Sequence, residues 1–370
     1  MLQPRDEADV AEAIATARNP LEPIGGGSKR SIGRPVRAEP LELAALTGIL
    51  AYEPEELVLT ARAATPLAEI VELLSRHRQR LAFEPPDLSA LTEARAAPTL
   101  GGVLAANLSG SRRLSAGAAR DHFLGLRAVS GRAERFHAGG RVVKNVTGFD
   151  LPKLLAGSWG TLAVLTEVTV RVHPAAEHER TLVLEAESAA TAVRLMSEAL
   201  ACACEVSCAA FAPARGVALR LEGFAVSVAA RARTLIDTLG SARAHRWVLD
   251  QDSRGLWAEL GGARALGRHP LVWRISVAPS DAPALIERLA PEDYLLDWGG
   301  GLLWLGAAEL DALRVRGALS SGHATLVKAP ADERTVTPVF PPLAQPLAAV
   351  TQCLKEAFDP RGLLNPGRLS

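Results

Sequence analysis

The 370-residue sequence carries no excess of either charge and no long apolar run. Lysine and arginine together number 41, and so do aspartate and glutamate, which disfavours a protein that binds nucleic acid mainly by electrostatic attraction. No segment reaches the ~18 consecutive apolar residues that a transmembrane helix requires. The acidic, amphipathic N-terminal segment lacks the basic start and apolar block of a secretory signal. We therefore expect a soluble, cytoplasmic protein without a transmembrane segment and without a nucleic-acid partner.

Cysteine is scarce and badly spaced for a metal cluster. Cys202, Cys204 and Cys208 lie in the segment ACACEVSCAA, and Cys353 stands apart. Iron–sulfur and zinc sites use four ligands, commonly with CxxC-type spacing, and no such spacing occurs here. The alternating apolar residues of this segment fit one face of a strand, with cysteine as a small hydrophobic residue. We therefore predict that this chain binds no metal.

Two widespread nucleotide-binding motifs are absent as well. Gly25, Gly26 and Gly27 follow a predicted strand, but a Rossmann GxGxxG motif starting there would need its third glycine where Arg30 stands. The P-loop motif GxxxxGK[ST] does not occur. These glycines therefore need another explanation.

The pattern of predicted elements changes after His173-Pro174. Glycine becomes rarer there, and strands alternate with helices, which predicts an α+β or α/β second domain. The elements predicted before this point are helices over 6–18, 66–76 (with Thr65 as N-cap), 102–108 and 151–156, and strands over 21–24, 48–53, 57–62, 80–83, 123–135 (two strands) and 163–172. Those predicted after it are strands near 182–185, 217–221, 273–277 and 302–305, and helices near 189–200, 226–239, 282–289, 307–319 and 347–357.

Three clusters of glycine and small polar residues follow predicted strands. In the first, residues 25–28, glycine permits positive φ and a close approach of a ligand, and successive N–H groups can form an anion-binding concavity. Lys29 and Arg30 add positive charge, which suits a diphosphate. The second cluster spans residues 100–110, and the third comprises residues 144–150 with 157–161. They are either three unrelated turns or one extended ligand groove.

Together these segments resemble a known family. PIGGGSKRSIG, TLGGVLAANLSG and VVKNVTGFDLPKLLAGSWGTLAVLTEVTV resemble, in this order, the FAD-binding domain of the vanillyl-alcohol oxidase/PCMH flavoproteins. The tail FDPRGLLNPGRL resembles the C-terminal segment of the same family. The stretches YEPEELVLTARAATPL and LLDWGGGLLWL narrow the resemblance to the FAD-binding E subunits of bacterial glycolate oxidase (glycolate dehydrogenase). The resemblance covers nearly the whole chain and is most specific over residues 23–172 and 358–368.

The resemblance implies an α+β fold with a two-lobed PCMH-type FAD-binding domain, an α/β cap domain and a C-terminal segment that returns to the FAD domain. The implied boundaries are 1–175 (two lobes, split near 50–65), 176–340 for the cap and 341–370 for the final helix and tail. The FAD contacts that it implies are Pro23, Gly25, Gly26, Gly27, Ser28, Lys29, Gly33, Pro86, Gly101, Gly102, Asn107, Ser109, Gly110, Lys144, Asn145, Gly148, Gly160, Val164, Thr166 and Asn365.

Each of the charged residues near these segments has more than one interpretation. Lys144 is either a neighbour of the phosphates or flavin, or an ordinary surface lysine. Asp150 either takes part in catalysis or caps the helix that starts at Leu151, which is the simpler reading. Arg112-Arg113 would contact an acidic substrate, a partner or only water.

The histidines do not match the site of the family members that oxidise D-2-hydroxy acids. Those enzymes resemble one another in a histidine-rich, metal-linked site in the cap; the reaction needs a base for the hydroxyl proton and a cation for the carboxylate. None of the eight histidines here forms an HxH or HxxH pair. His323 is the best single candidate for a catalytic residue, with a structural histidine as the alternative.

The resemblance implies an FAD-dependent oxidoreductase subunit that takes part in oxidising glycolate or D-lactate to the 2-oxo acid. Its implied partners are a catalytic flavoprotein subunit and an iron–sulfur subunit of the same complex, through which any attachment to the inner membrane would be made. We predict non-covalent FAD, because the 25–33 loop contains neither histidine nor cysteine. The alternatives are a stand-alone FAD-dependent 2-hydroxy-acid dehydrogenase and a non-catalytic, flavin-carrying assembly subunit.

Overall fold

The computed structural model describes residues 2–141, 148–240 and 245–369. Among the described residues up to 174, the strands are β1 (Leu21–Ile24), β2 (Glu39–Glu42), β3 (Ile49–Glu53), β4 (Val58–Arg62), β5 (Gln79–Arg80), β6 (Phe123–Ser130), β7 (Arg135–Gly139), β8 (Ala163–Arg171) and β9 (His173–Pro174). The helices are α1 (Glu7–Thr16), α2 (Leu67–Arg76), α3 (Ser89–Thr92), α4 (Leu100–Ala105), α5 (Arg113–Ala116), α6 (Ala119–His122) and α7 (Leu151–Leu155).

A five-stranded antiparallel sheet forms the centre of this half, in the order β3-β4-β8-β6-β7. The central strand β8 is buried on both faces at most positions, which fits its β-branched, apolar sequence. Residues of α2 and α4, including Ile70, Leu74 and Leu100, pack with it in one apolar core. β1 and β2 form a separate parallel pair, and Leu21 of β1 also bridges to Leu364 near the C-terminus.

The described residues after 174 contain one larger sheet. Its strands are β10 (His178–Leu184), β11 (Cys208–Ala212), β12 (Gly216–Gly223), β13 (His245–Leu249), β14 (Leu271–Ser276), β15 (Asp293–Asp297), β16 (Leu302–Ala307) and β17 (His323–Lys328). The helices are α8 (Ala189–Ala201), α9 (Ala225–Leu239), α10 (Asp250–Gly261), α11 (Ala282–Leu289), α12 (Ala312–Gly317), α13 (Glu333–Val336) and α14 (Gln345–Phe358), and short 3₁₀ turns span Arg264–Arg268, Pro279–Asp281 and Trp298–Gly300.

The eight strands pair in the order β13-β10-β12-β11-β15-β16-β14-β17, and every neighbouring pair is antiparallel. Alternate residues of β14 face opposite sides, as strand geometry requires. Trp273 and Ile275 belong to the core with α8, α9 and α11. Val272 belongs instead to a cluster that includes Leu88 and Leu91 of the N-terminal half. This second face of the sheet therefore packs against the N-terminal half.

The α+β class predicted from the sequence is confirmed, and so are most elements, including α1, β1, β8 and α8. The helix predicted over 307–319 is wrong at its start, because β16 continues to Ala307 and Asp311 caps a shorter helix. Thr65 was predicted as the N-cap of α2, but its hydroxyl bonds Gly48 and Arg62 instead. None of the helices in the described residues is both long and apolar enough to cross a membrane.

Candidate functional site

A groove in the N-terminal half encloses about 820 Å³ of empty space, counted to its open mouth. Four segments form its walls: the end of β1 with the loop after it, the start of α4, strand β8 and the C-terminal tail. The lining residues are Glu22, Pro23, Ile24, Gly25, Gly26, Gly27, Ser28, Lys29, Arg30, Leu43, Ala63, Ala64, Thr99, Gly101, Gly102, Ala105, Ala106, Trp159, Gly160, Ala163, Val164, Leu165, Asn365 and Arg368.

The structure needs glycine at the three positions after β1 for two different reasons. Gly27 has φ of +81°, in the left-handed region that glycine tolerates best. Gly25 and Gly26 do not have positive φ, so the expectation that positive φ explains all three consecutive glycines is wrong. A β-carbon on Gly25 would lie 2.7 Å from Thr99 Oγ1, and one on Gly26 would overlap the carbonyl oxygen of Ala97. One side of the loop therefore packs directly on residues 97–99.

The start of α4 forms the neighbouring wall. Thr99 caps the helix, and its hydroxyl oxygen accepts the N–H of Gly102 at 3.3 Å. The N–H of Gly101 donates to the carbonyl oxygen of Ala63 at 2.8 Å, and no β-carbon would fit between them. Gly101 thus lets α4 approach the end of β4 closely, and both glycines leave the groove surface beside them free of side chains.

Two cations project into the groove without an acidic partner in the described residues. Lys29 Nζ lies 3.1 Å from Ser28 Oγ, and burial lowers the pKa of Lys29 to about 8 despite the attraction of Asp87. Arg368 donates to the carbonyl oxygen of Lys29 at 2.9 Å, and burial lowers its pKa to about 10. Arg30, by contrast, forms an ion pair with Glu22. The groove therefore favours an anionic ligand.

Asn365 brings the C-terminal tail into the groove. Its backbone has φ of +44°, and its N–H donates to the carbonyl oxygen of Leu21 at 3.0 Å. Its side-chain Nδ2 donates to the carbonyl oxygen of Trp159 at 2.8 Å. The side-chain oxygen Oδ1 is buried and accepts no hydrogen bond from the described residues. A buried acceptor of this kind normally has a partner, so a ligand donor fits this position.

The structure brings eleven of the residues predicted as FAD contacts into this one groove. They are Pro23, Gly25, Gly26, Gly27, Ser28, Lys29, Gly101, Gly102, Gly160, Val164 and Asn365. Because they come from the loop after β1, from α4, from β8 and from the tail, the first glycine cluster and parts of the second and third belong to one groove.

Asn107, Ser109 and Gly110 lie beyond the lining residues and fix the segment between α4 and the large sheet. The side-chain oxygens of Asn107 and Ser109 accept the N–H groups of Arg120 and Ala119. The carbonyl oxygen of Gly110 accepts the indole N–H of Trp298 at 3.1 Å. These contacts hold the segment between α4 and the large sheet in place.

The remaining predicted residues lie outside the groove lining. Gly33 packs against Arg368, and Pro86 is half-buried in the turn before α3. Thr166 is buried, with its hydroxyl 3.3 Å from Glu7, and a β-carbon on Gly148 would meet none of the described residues within 4 Å. His323 is exposed at the start of β17. Lys144 and Asn145 lie outside the described residues.

Sequence reasoning missed four of the groove's residues that matter to its chemistry: Thr99, Trp159, Glu22 and Arg368. Thr99 precedes the second cluster as a recognisable N-cap, and Arg368 belongs to the tail segment that carried the family resemblance. Asp150 caps α7, accepting the N–H of Lys153 at 3.3 Å, as the simpler reading held.

Comparisons with known proteins agree with this geometry. Residues 1–139 match the family described as "FAD binding domain". The chain is 36% identical to glycolate oxidase subunit GlcE of Escherichia coli over 97% of its own length and 95% of that protein. The chain belongs to the FAD-binding flavoprotein family of GlcE. Its cofactor is FAD, and its class is that of the FAD-binding oxidoreductases.

More distant relatives match a smaller share. Glycolate oxidase subunit GlcD of Bacillus subtilis is 28% identical over 54% of this chain and 42% of that protein. The solved structure of alkyldihydroxyacetonephosphate synthase superposes with a TM-score of 0.67 at 14% identity, covering 98% of this chain and 76% of that one. At that identity, the likeness establishes the fold alone.

The groove fits FAD on its own chemistry. A dinucleotide needs close backbone approach and counter-charge for its diphosphate, which the loop over 25–27 and the cations Lys29 and Arg368 offer. It also needs polar partners for its ring edges, and Asn365 Oδ1 is a buried acceptor to which none of the described residues donates. When bound, FAD supplies an acceptor for a hydride; the chain's residues bind and orient it.

Proposed function

We propose that this chain is the FAD-binding subunit of a glycolate oxidase (glycolate dehydrogenase) complex. Similarity to GlcE over nearly the full length of both chains carries the proposal. A groove that combines glycine loops with two cations and an amide oxygen, none of which has an acidic or donor partner in the described residues, supports the cofactor role. In this proposal the complex oxidises glycolate or D-lactate to the 2-oxo acid.

The proposed partners are a catalytic flavoprotein subunit and an iron–sulfur subunit. GlcD, a glycolate oxidase subunit, matches half of this chain, which supports a related flavoprotein as a partner. The sequence has no cysteine spacing for a cluster, so we assign one-electron carriers to a partner. Attachment to a membrane, where it occurs, is made through these partners.

We further propose that residues 1–175 form the FAD-binding domain in two lobes, residues 176–340 a cap and residues 341–370 a returning segment. The five-stranded sheet lies within the first range and the eight-stranded sheet within the second. Lys355 in α14 donates to the carbonyl oxygen of Thr161, which supports the returning segment.

A second candidate is a chain that oxidises the 2-hydroxy acid itself, with His323 as base. Partial burial and the positive charges of Arg274 and Arg113 lower the pKa of His323, so the imidazole is neutral and able to accept a proton at pH 7. Acid–base assistance is typically worth ~10²–10⁴ in rate.

Anaerobic addition of glycolate or D-lactate separates the two candidates. The visible flavin absorbance is followed in the chain alone and in the chain mixed with its partner subunits. We expect slow bleaching alone and rapid bleaching in the complex. Rapid bleaching of the chain alone, abolished in His323→Ala with flavin retained, would show an enzyme in its own right.

A further inference from the structure

The connecting segment, residues 329–344, leads from β17 of the large sheet to α14 and contains α13. Val339 is fully buried in the core that the large sheet shares with α8, α9 and α11, and its carbonyl oxygen accepts the N–H of Leu326 at 3.0 Å. Arg316 of α12 donates to the carbonyl oxygen of Pro338 at 2.6 Å. These contacts fix residues 338–339 to the large sheet.

Two other side chains of the connecting segment contact the N-terminal half. Arg334 of α13 donates through Nη1 to the carbonyl oxygen of Gly33 at 2.9 Å. The ring of Phe340 packs edge-on against the ring of Trp159, with the ring centres 5.4 Å apart. Trp159 lines the FAD groove, and Gly33 ends the short stretch that begins at the groove residue Lys29. The connecting segment therefore reaches the surroundings of the groove at two points.

Arg334 and Arg368 hold the two ends of residues 29–33. Arg368 donates to the carbonyl oxygen of Lys29 at 2.9 Å, and Arg334 donates to that of Gly33. Arg334 is 8% exposed and forms no ion pair with a described residue, and burial lowers its pKa. Burial is also the main cause of the lowered pKa of Arg368, which the nearby charge of Arg334 lowers further. Because hydrogen bonds from a charged donor are stronger than those between neutral groups, the two guanidinium groups fix the position of Lys29.

The backbone of Trp159 is held by two hydrogen bonds in an uncommon conformation. Its φ is +53°, which bulky residues seldom adopt unless surrounding contacts impose it. Its N–H donates to the carbonyl oxygen of Ala105 at 2.9 Å, and its carbonyl oxygen accepts Asn365 Nδ2 at 2.8 Å. Its ring contacts Phe340, and the ring centre lies 5.9 Å from the guanidinium carbon of Arg368. A displacement of Phe340 would therefore act on Asn365 and Arg368 through this one residue.

We propose that Arg334 and Phe340 are positioning residues, through which the half of the chain that holds the large sheet sets the FAD affinity of the groove. Neither side chain lines the groove. Arg334 acts on the carbonyl oxygen of Gly33, and Phe340 acts on Trp159. Groups that are held in place before a ligand arrives lose less freedom when it binds, which raises the affinity. This inference depends on FAD as the cofactor and not on the acid that the complex oxidises.

Titration of the FAD-free, full-length chain with FAD, followed by flavin fluorescence, tests the role of Arg334. Arg334→Gln removes the charge, and we expect FAD to bind at least about tenfold more weakly, the effect of one lost charge-assisted contact. Arg334→Lys keeps the charge and a donor, and it should recover part of this loss. Arg314→Gln is the matched control, because Arg314 donates to the carbonyl oxygen of Leu289, away from the groove. It should bind FAD as tightly as wild type.

The same titration tests Phe340. Phe340→Leu keeps an apolar side chain but removes the ring contact, and it should weaken FAD binding about twofold to tenfold. In a chain that already carries Trp159→Leu, the same substitution should have no further effect on FAD affinity, because its effect passes through that residue. Phe211→Leu is the matched control, because the ring of Phe211 packs on Tyr294 of the large sheet, with centres 6.2 Å apart. It should leave FAD affinity unchanged.

Circular dichroism on every sample shows which variants keep the fold. Wild-type FAD affinity in both Arg334→Gln and Phe340→Leu would overturn the proposal, and so would equal weakening by the two control variants. Equal losses in Arg334→Gln and Arg334→Lys would remove Arg334 from it, and additive effects of Phe340→Leu and Trp159→Leu would remove Phe340. A wild-type chain that binds no FAD would overturn this inference together with the cofactor. The titration contains no 2-hydroxy acid, so its result is independent of the substrate proposed above.

Discussion

Gly26 packs against the carbonyl oxygen of Ala97 so closely that no β-carbon fits between them. One side of the loop after β1 is therefore fixed by this packing, and the other side faces the groove. Gly26→Val has to push the loop away from Ala97, and we expect it to lose bound FAD. Far-UV circular dichroism should stay close to wild type, because the large sheet is not touched.

Gly140→Val is the control for this substitution, since a β-carbon at Gly140 meets nothing within 4 Å. It should retain the wild-type flavin content. If Gly26→Val purified with normal flavin content, the loop after β1 would not be the diphosphate site.

The buried amine of Lys29 predicts a pH dependence of FAD affinity. Its pKa falls from 10.5 to about 8 because of burial, so the unoccupied groove holds an ammonium below pH 8 and a neutral amine above it. Binding a diphosphate favours the ammonium, and the FAD affinity should therefore fall as pH rises above 8. Calorimetric titration with FAD between pH 7 and pH 9 measures this.

The same lowered pKa of Lys29 gives the stability of the FAD-free chain the opposite dependence on pH: stability rises with pH where FAD affinity falls. Between pH 8 and 10.5 the unfolded chain binds more protons at Lys29 than the folded one, so stability rises with pH in that window. Lys29→Met should remove both dependences and raise the melting temperature of the FAD-free chain at pH 7. Lys153→Met, at an exposed lysine paired with Asp150, should alter neither, and an unchanged pH profile in Lys29→Met would contradict the assignment.

Asn365→Asp tests the tail as part of the cofactor site. The substitution keeps the size of the side chain, but it removes the donor to Trp159 and places a negative charge in the groove. We expect FAD affinity to fall at least about tenfold, because a contact to the charged ligand is lost and such contacts are typically worth more than 1 kcal/mol. Equilibrium titration of flavin fluorescence gives the affinity.

Asn107→Asp is the matched control, because Asn107 also has positive φ and accepts the N–H of Arg120 through an oxygen that aspartate retains. It should bind FAD nearly as well as wild type. Equal losses in Asn107→Asp and Asn365→Asp would mean that Asn107 belongs to the FAD site, as the family resemblance implied, and that the groove extends further than described.

Glu222 joins the two halves of the chain through buried ion pairs. Its carboxylate lies 2.5 Å from Arg80, 3.3 Å from Arg112 and 3.7 Å from Arg220. Burial raises the pKa of Glu222, but these cations outweigh it and bring the value to about 2. Its stabilisation is therefore present above pH 4.5 and is lost as the pH falls toward 2.

Glu222→Gln should destabilise the chain at pH 7 by about 3–5 kcal/mol, since it leaves buried cations uncompensated. Urea unfolding measures the change, and the difference from wild type should shrink below pH 4.5. Glu205→Gln, at an exposed carboxylate paired with Arg231, should change stability by less than about 1 kcal/mol. Similar effects of the two substitutions would show that Glu222 is an ordinary surface charge.

Local signals in the sequence account for the elements that were predicted well. Asp6 before an apolar pattern through Val10 and Ile14 marks α1, and Asp150 marks α7. β13, β15 and β17 were not predicted, because short strands of mixed composition are defined by their sheet partners rather than by alternation. Thr65 looks like an N-cap locally, but its hydroxyl meets Gly48 of an adjacent turn.

The candidate site likewise contains residues that a local sequence pattern indicates and residues that only the fold brings together. Glycine clusters can be read along the chain, and the first cluster converges on the groove with parts of the second and third. The juxtaposition of Lys29 with Arg368, and of Gly33 with Arg334, depends on the tail returning to β1 and on the large sheet packing against the N-terminal half. Residues so distant in sequence carry no shared local pattern.

The FAD content of the purified chain tests the central claim most directly. Across residues 2–141, 148–240 and 245–369, the groove lining includes no cysteine or histidine, and we propose non-covalent binding. After acid precipitation, we expect the supernatant to contain FAD equimolar with the chain and the pellet to be colourless. A chain that purifies without flavin and binds none when FAD is added would contradict the account, and flavin retained in the pellet would contradict non-covalent binding.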